Sequence, residues 1–149
     1  MKIFEKILAV VICIALIMKF FEIPGGGILA VISLGTLCFF YYFLGFAFFN
    51  QIGFNNLFNK QSYNSISALR MLGAIGAGTA LSTLSLGVLY KLQYWTGGDS
   101  ILISGFVSIL IVLIVAIINY FRSKDVYYIR IFIRMAILVG LGILMEVVR

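Results

Sequence analysis

The chain is built from apolar runs, each about as long as a bilayer is thick, with very little polar sequence between them. The purest, Ile109 to Ile118, is ten consecutive aliphatic residues within a longer apolar stretch from Ser100 to Phe121. Such a run constrains the fold more than anything else here, because about 20 apolar residues cross the hydrocarbon core and only a helix satisfies its own backbone there. The rest of the sequence agrees: 63% of the 149 residues are hydrophobic and 11% are charged, against roughly 25% charged in a soluble domain. An all-α integral membrane protein is expected, with residues 1–149 forming a single membrane domain and no room for a separate soluble one.

Four spans and a fifth segment can be read along the chain. Span one covers about residues 4–21; a cleaved signal peptide is the competing reading, since Lys2 and Lys6 precede a short apolar core, but no small-residue cleavage site follows. Span two covers about 27–49 and ends in rings, among them Phe39, Phe40, Tyr41, Tyr42, Phe43, Phe48 and Phe49, which predict an interfacial belt. A polar loop follows at 50–67, where Phe54, Leu57 and Phe58 fit a short interfacial helix or an irregular loop. Span three covers about 68–90 and span four about 100–121. The basic segment 122–149 holds only eleven apolar residues from Met135 to Met145, so it is either a fifth span or an amphipathic helix on the membrane; Arg130 and Arg134 are expected to snorkel toward one interface.

Charge placement gives an independent topology. With a cytoplasmic N-terminus, Lys2, Lys6, Lys60, Arg70, Arg122, Lys124, Arg130 and Arg134 lie inside, and Lys19, Lys91 and Arg149 lie outside. Eight basic residues against three satisfies the positive-inside rule and predicts the cytoplasmic (inner) membrane of a bacterium. The net charge of +6 then reflects topology, and no nucleic-acid partner is implied.

The exits of spans one and three match at an offset of 72 residues. Lys19-Phe-Phe-Glu-Ile-Pro-Gly-Gly-Gly-Ile-Leu stands beside Lys91-Leu-Gln-Tyr-Trp-Thr-Gly-Gly-Asp-Ser-Ile-Leu, with one residue inserted before Ile-Leu. Residues 1–49 and 68–121 therefore read as two parallel-repeat transmembrane hairpins. Pro24, Gly25 and Gly26 in the first turn, and Gly97 and Gly98 in the second, break the helix and permit positive φ. Asp99 is expected to cap span four. Lys19 and Lys91 precede each turn as snorkelling anchors or as partners for a carboxylate such as Glu22, another subunit or a lipid headgroup.

The stretch Gly87-Val-Leu-Tyr-Lys-Leu-Gln-Tyr-Trp-Thr-Gly-Gly-Asp-Ser-Ile-Leu-Ile-Ser-Gly-Phe resembles the membrane hairpin of the GldL gliding-motility family and its small relatives. The resemblance covers residues 84–118 well, 12–45 loosely, and nothing in the last segment. In that family the hairpin forms a ring around a partner's helices in a proton-driven motor, which would place the core lysine at Lys91. Here Tyr94 replaces the family's histidine, Thr96 replaces its proline, and span four lacks the intramembrane glutamate. The resemblance carries over the hairpin and not the motor.

Other residues have plainer readings. Gly73, Ala74, Ala77 and Gly78 form small-residue pairs four apart in span three, expected to pack closely against another span or another copy. Thr79, Ser82, Thr83 and Ser85 continue that helix; a pore lining is their alternative reading. Cys13 and Cys38 lie mid-span as small hydrophobes. Glu146 is expected to pair with Arg149, or with Lys19 or Lys91 if the last helix packs beside the hairpins. With no histidine in the chain, histidine-based catalytic sets are excluded, and no cofactor or metal site is expected. The sequence thus points to a non-enzymatic subunit or scaffold in the lipid bilayer, a homo-oligomer or bound to partner membrane helices. A pore-forming effector and a small-solute transporter are the alternatives.

Overall fold

The computed structural model describes residues 2–147, with side chains from 3 to 147. It is all helical among those residues: α1 (Lys2–Phe20), α2 (Gly26–Phe49), α3 (Ala68–Leu92), α4 (Gly98–Ser123) and α5 (Val126–Val147). The boundaries expected for spans two to four hold within two residues. Four helices, α2 to α5, are long and apolar enough to cross a bilayer. The chain is a multi-pass helical membrane protein.

The two outer helices stand differently against the expectations. The last segment is a continuous 22-residue helix that buries Tyr127, Ile131, Met135, Leu138 and Gly142 along its length, so it packs as part of the bundle. It is α1, 19 residues long, that falls outside the four; Lys2, Glu5, Lys6 and Lys19 make it the most charged. The loop at 50–67 contains no α-helix, only two single 3-10 turns, Phe54–Asn56 and Lys60–Tyr63, and Phe58 is fully exposed.

α3 is the centre of the bundle, packed on α2, α4 and α5, while α1 packs on α2. Lipid supplies no hydrophobic drive between helices, so close backbone approach must hold them. Such approaches occur on both sides of α3. A Cβ built on Gly78 would lie 2.6 Å from the Tyr41 carbonyl oxygen, and one on Gly45 would lie 2.8 Å from the Gly78 Cα. On the α4 side, a Cβ on Gly87 would lie 2.7 Å from the Leu102 Cα, and one on Gly105 2.7 Å from the Leu84 Cα. The small-residue stripe is thus an intramolecular seam, with Ala74, Ala77 and Gly78 buried. Gly73 is the exception: it is half-exposed, and only the Tyr127 hydroxyl comes within reach.

The aromatic end of α2 divides between two environments. Phe39, Tyr42 and Phe43 face outward as an interfacial belt would, but Phe40, Tyr41, Phe48 and Phe49 are buried in the core. The hydroxyls of α3 turn onto their own helix: Thr79 donates to the Gly76 carbonyl, Thr83 to that of Thr79 and Ser85 to that of Leu81. Ser82 instead meets the Cys38 sulfur across the seam at 3.0 Å. Cys13 is exposed on α1, and both cysteines are free.

Candidate functional site

The two hairpin turns gather one group of polar residues at one end of the bundle, here the turn end. Their geometry follows from the helix C-termini. In the first, the Ile23 amide donates to the Met18 carbonyl at 2.8 Å and the Glu22 amide to that of Lys19 at 3.2 Å. In the second, Trp95 donates to Tyr90 at 3.0 Å and Tyr94 to Lys91 at 3.1 Å. These are paired Schellman bonds, which require a left-handed residue just past the helix. Glu22 (φ 55°) and Tyr94 (φ 57°) occupy that position. A β-turn follows, closed by Gly26 to Ile23 and by Gly98 to Trp95. Its third residue has positive φ, 91° at Gly25 and 85° at Gly97. Pro24 and Thr96 stand before these glycines at the second position, where type II turns favour proline.

The roles within each Gly-Gly pair are therefore distinct. Gly25 and Gly97 supply the positive φ. Gly26 and Gly98 open the next helix under the preceding one, where a Cβ would lie 2.8 Å from the Lys19 amide nitrogen and 3.2 Å from that of Lys91. The register of 72 continues into the following helices, with Leu29 to Gly25 and Ile101 to Gly97 bonded alike. No inserted residue is needed at this point. Asp99 does not cap α4, whose N-cap is Gly97 without a side-chain bond.

The carboxylate of Asp99 instead pairs with the Lys91 ammonium, and Glu146, from the far end of α5, closes on the same nitrogen at 2.7 Å. Lys91 has a side chain only 5% exposed, while Asp99 and Glu146 are more than half exposed. A buried ammonium is costly unless paired, and here it joins α3, the start of α4 and the end of α5. Of the two readings for Glu146, the pair with Lys91 is the one present; Arg149 lies outside the described residues. Lys19, the equivalent residue of the first hairpin, has a different setting: half-exposed, its ammonium sits 5.6 Å over the Tyr94 ring. The two turns are also tied directly, since the Gln93 side-chain amide donates to the Gly27 carbonyl at 2.7 Å.

Beside this centre a cleft of about 450 Å³ opens between the ends of α1, α3 and α5. Lys19, Glu22, Lys91 and Tyr94 supply its polar groups, and Leu16, Phe20 and Leu144 are among its apolar walls.

Two further polar centres lie toward the opposite, loop end. Arg134 donates to both oxygens of Glu5, Nε to Oε1 at 2.6 Å and Nη2 to Oε2 at 2.9 Å. Tyr41 donates its hydroxyl to the same Oε1 at 2.8 Å, and the guanidinium lies 4.6 Å over the Phe48 ring. Arg134 does not snorkel; it stands about 12 Å along α5 from its start and is held among aromatic rings of α2. Nearer the loop, Arg70 pairs with Asp125 at 2.9 Å, donates to the Asn50 side chain at 3.1 Å and stacks 4.4 Å over Tyr127. Sequence reading missed Glu5, Tyr41, Gln93 and Asp125. Of these only Glu5 carried a signal, as the one acid of α1, in its first turn.

Comparison with family models, with curated proteins and with solved structures gives no match for this chain.

Proposed function

We propose that this chain is a non-enzymatic subunit or scaffold of a bacterial inner membrane, crossing it five times and associating through its outer faces with copies of itself or with partner helices. The observation that carries this reading is the use made of charge. Lys91, Arg134 and Arg70 each bind a carboxylate on an element distant in sequence, so three ion-pair centres fasten α5 and its entry to the rest of the bundle. Polar groups used in this way hold helices together and leave the outward faces aliphatic, as on α4, where Ile103, Val107, Leu110 and Ile114 are exposed. An aliphatic face of that kind meets lipid or another helix.

α1 belongs to this arrangement as the fifth span. Its acid is neutralised by Arg134, which removes most of the cost of carrying it across. The cytoplasmic placement of the loop end rests on the eight-to-three charge count.

The matching bonds of the two turns at one fixed offset support a duplicated hairpin, and they support the GldL-like reading to the extent of that hairpin. Span four has no acid of its own for Lys91 at mid-depth; its partners come from the first turn of α4 and from α5, a segment that the resemblance does not cover. This favours a static clamp over a motor element.

Cysteine cross-linking in native membranes tests the assembly. With Cys13 and Cys38 replaced by Ala and single cysteines placed at Val107, Leu110 or Ile114, disulfide-linked dimers or a linked partner band should form at one of these positions. Absence of any adduct at all of them, together with a monomer mass in mild detergent, overturns the proposal.

A further inference from the structure

We propose that the cleft at the turn end binds one phospholipid with a zwitterionic, primary-ammonium headgroup, of the phosphatidylethanolamine class. The inference rests on the chain lying in a bilayer and is independent of whether it assembles. α1 and α5 are drawn together at the loop end by the Glu5–Arg134 pair. At the turn end no salt bridge joins them among the described residues, and Leu16, Ile17 and Phe20 face Leu144 and Met145 across about 450 Å³. That volume is within the roughly 300–1,000 Å³ of ligand sites, and its apolar walls suit an acyl chain.

The charges choose the headgroup. Lys19 on the last turn of α1 and Glu22 in the turn that follows line the same mouth, and Lys91 at the inner wall is already neutralised by Asp99 and Glu146. Among the described residues, two lysines and three carboxylates give the region a formal charge of −1. A headgroup bearing only negative charge meets that excess. A zwitterion satisfies both signs, with its phosphate accepting from the Lys19 ammonium and its own ammonium donating to the Glu22 carboxylate; both bonds are charge-assisted. The Tyr94 ring beneath Lys19 keeps that ammonium at the mouth.

The test is native mass spectrometry of delipidated protein in detergent, titrated with phosphatidylethanolamine and phosphatidylglycerol of identical chains. The wild type should retain phosphatidylethanolamine in preference. Lys19→Gln should lower its retention about tenfold, the scale of one charge-assisted bond. Glu22→Gln should abolish the preference between the two lipids. Leu144→Trp, which fills the cleft and alters no charge, should reduce retention of both. Equal or better retention of phosphatidylglycerol by the wild type, or wild-type retention by Lys19→Gln and Leu144→Trp, overturns the proposal.

Discussion

Substituting Arg134 with Met should be among the most damaging changes this bundle can suffer, and the pair it belongs to lets the damage be apportioned. Glu5 has a side chain 16% exposed and Arg134 one 20% exposed, so both are largely withdrawn from solvent. Removing the guanidinium leaves the carboxylate with the Tyr41 hydroxyl as its remaining partner. Breaking a buried pair from one side costs about 3–5 kcal/mol, whereas replacing both partners by groups of similar shape is often close to neutral. Tyr41 moderates the loss, so about 3 kcal/mol is expected for Arg134→Met and less than about 1.5 kcal/mol for the double variant Glu5→Gln/Arg134→Met. The assay is reversible unfolding in mixed micelles with rising SDS, followed by far-ultraviolet circular dichroism. The cycle should then show a coupling of at least about 1.5 kcal/mol between the two residues. Additive single-variant effects, or an Arg134→Met variant as stable as wild type, would refute the claim that this pair is internal to the bundle.

Other positions separate packing from composition. Gly78→Ala places a methyl carbon 2.6 Å from the Tyr41 carbonyl oxygen and should destabilise by about 1–3 kcal/mol. Gly140→Ala meets nothing within 4 Å and should be neutral or stabilising by up to about 1 kcal/mol through helix propensity; the same SDS titration compares them. At the turn end, Asp99→Asn or Glu146→Gln alone leaves Lys91 one carboxylate and should cost about 1 kcal/mol or less. The double variant strands a buried ammonium, so its loss should exceed the sum of the two singles; a sum within about 0.3 kcal/mol of additive would show that the three do not form one centre.

The sequence was most informative where a single physical requirement acts locally. Span positions follow from backbone satisfaction in lipid, and the breaks at Pro24-Gly25 and Gly97-Gly98 follow from turn stereochemistry, so both were legible. The division of labour within each glycine pair was not, because the need for Gly26 and Gly98 arises from the chain passing back over Lys19 and Lys91. Lys91 and Glu146 could be named as alternatives for one another, but choosing between Lys91 and Arg149 required knowing that α5 crosses beside α3. Glu5 with Arg134 was the largest omission. The two are joined across 129 positions, and a lone arginine near a helix start looks the same in sequence whether it snorkels or turns inward. The buried half of the aromatic run on α2 was hidden for a related reason: rings that shield Arg134 and rings that meet headgroups have the same composition.

Whether α5 crosses the membrane as a member of the bundle is measured in cells by paired topology reporters. A green fluorescent protein fused after Lys124 should fluoresce and alkaline phosphatase at that site should be inactive, while after Val147 the phosphatase should be active and the fluorescent protein dark. Both fusion sites reporting the same side of the membrane would contradict a fifth span and the arrangement of charges built on it.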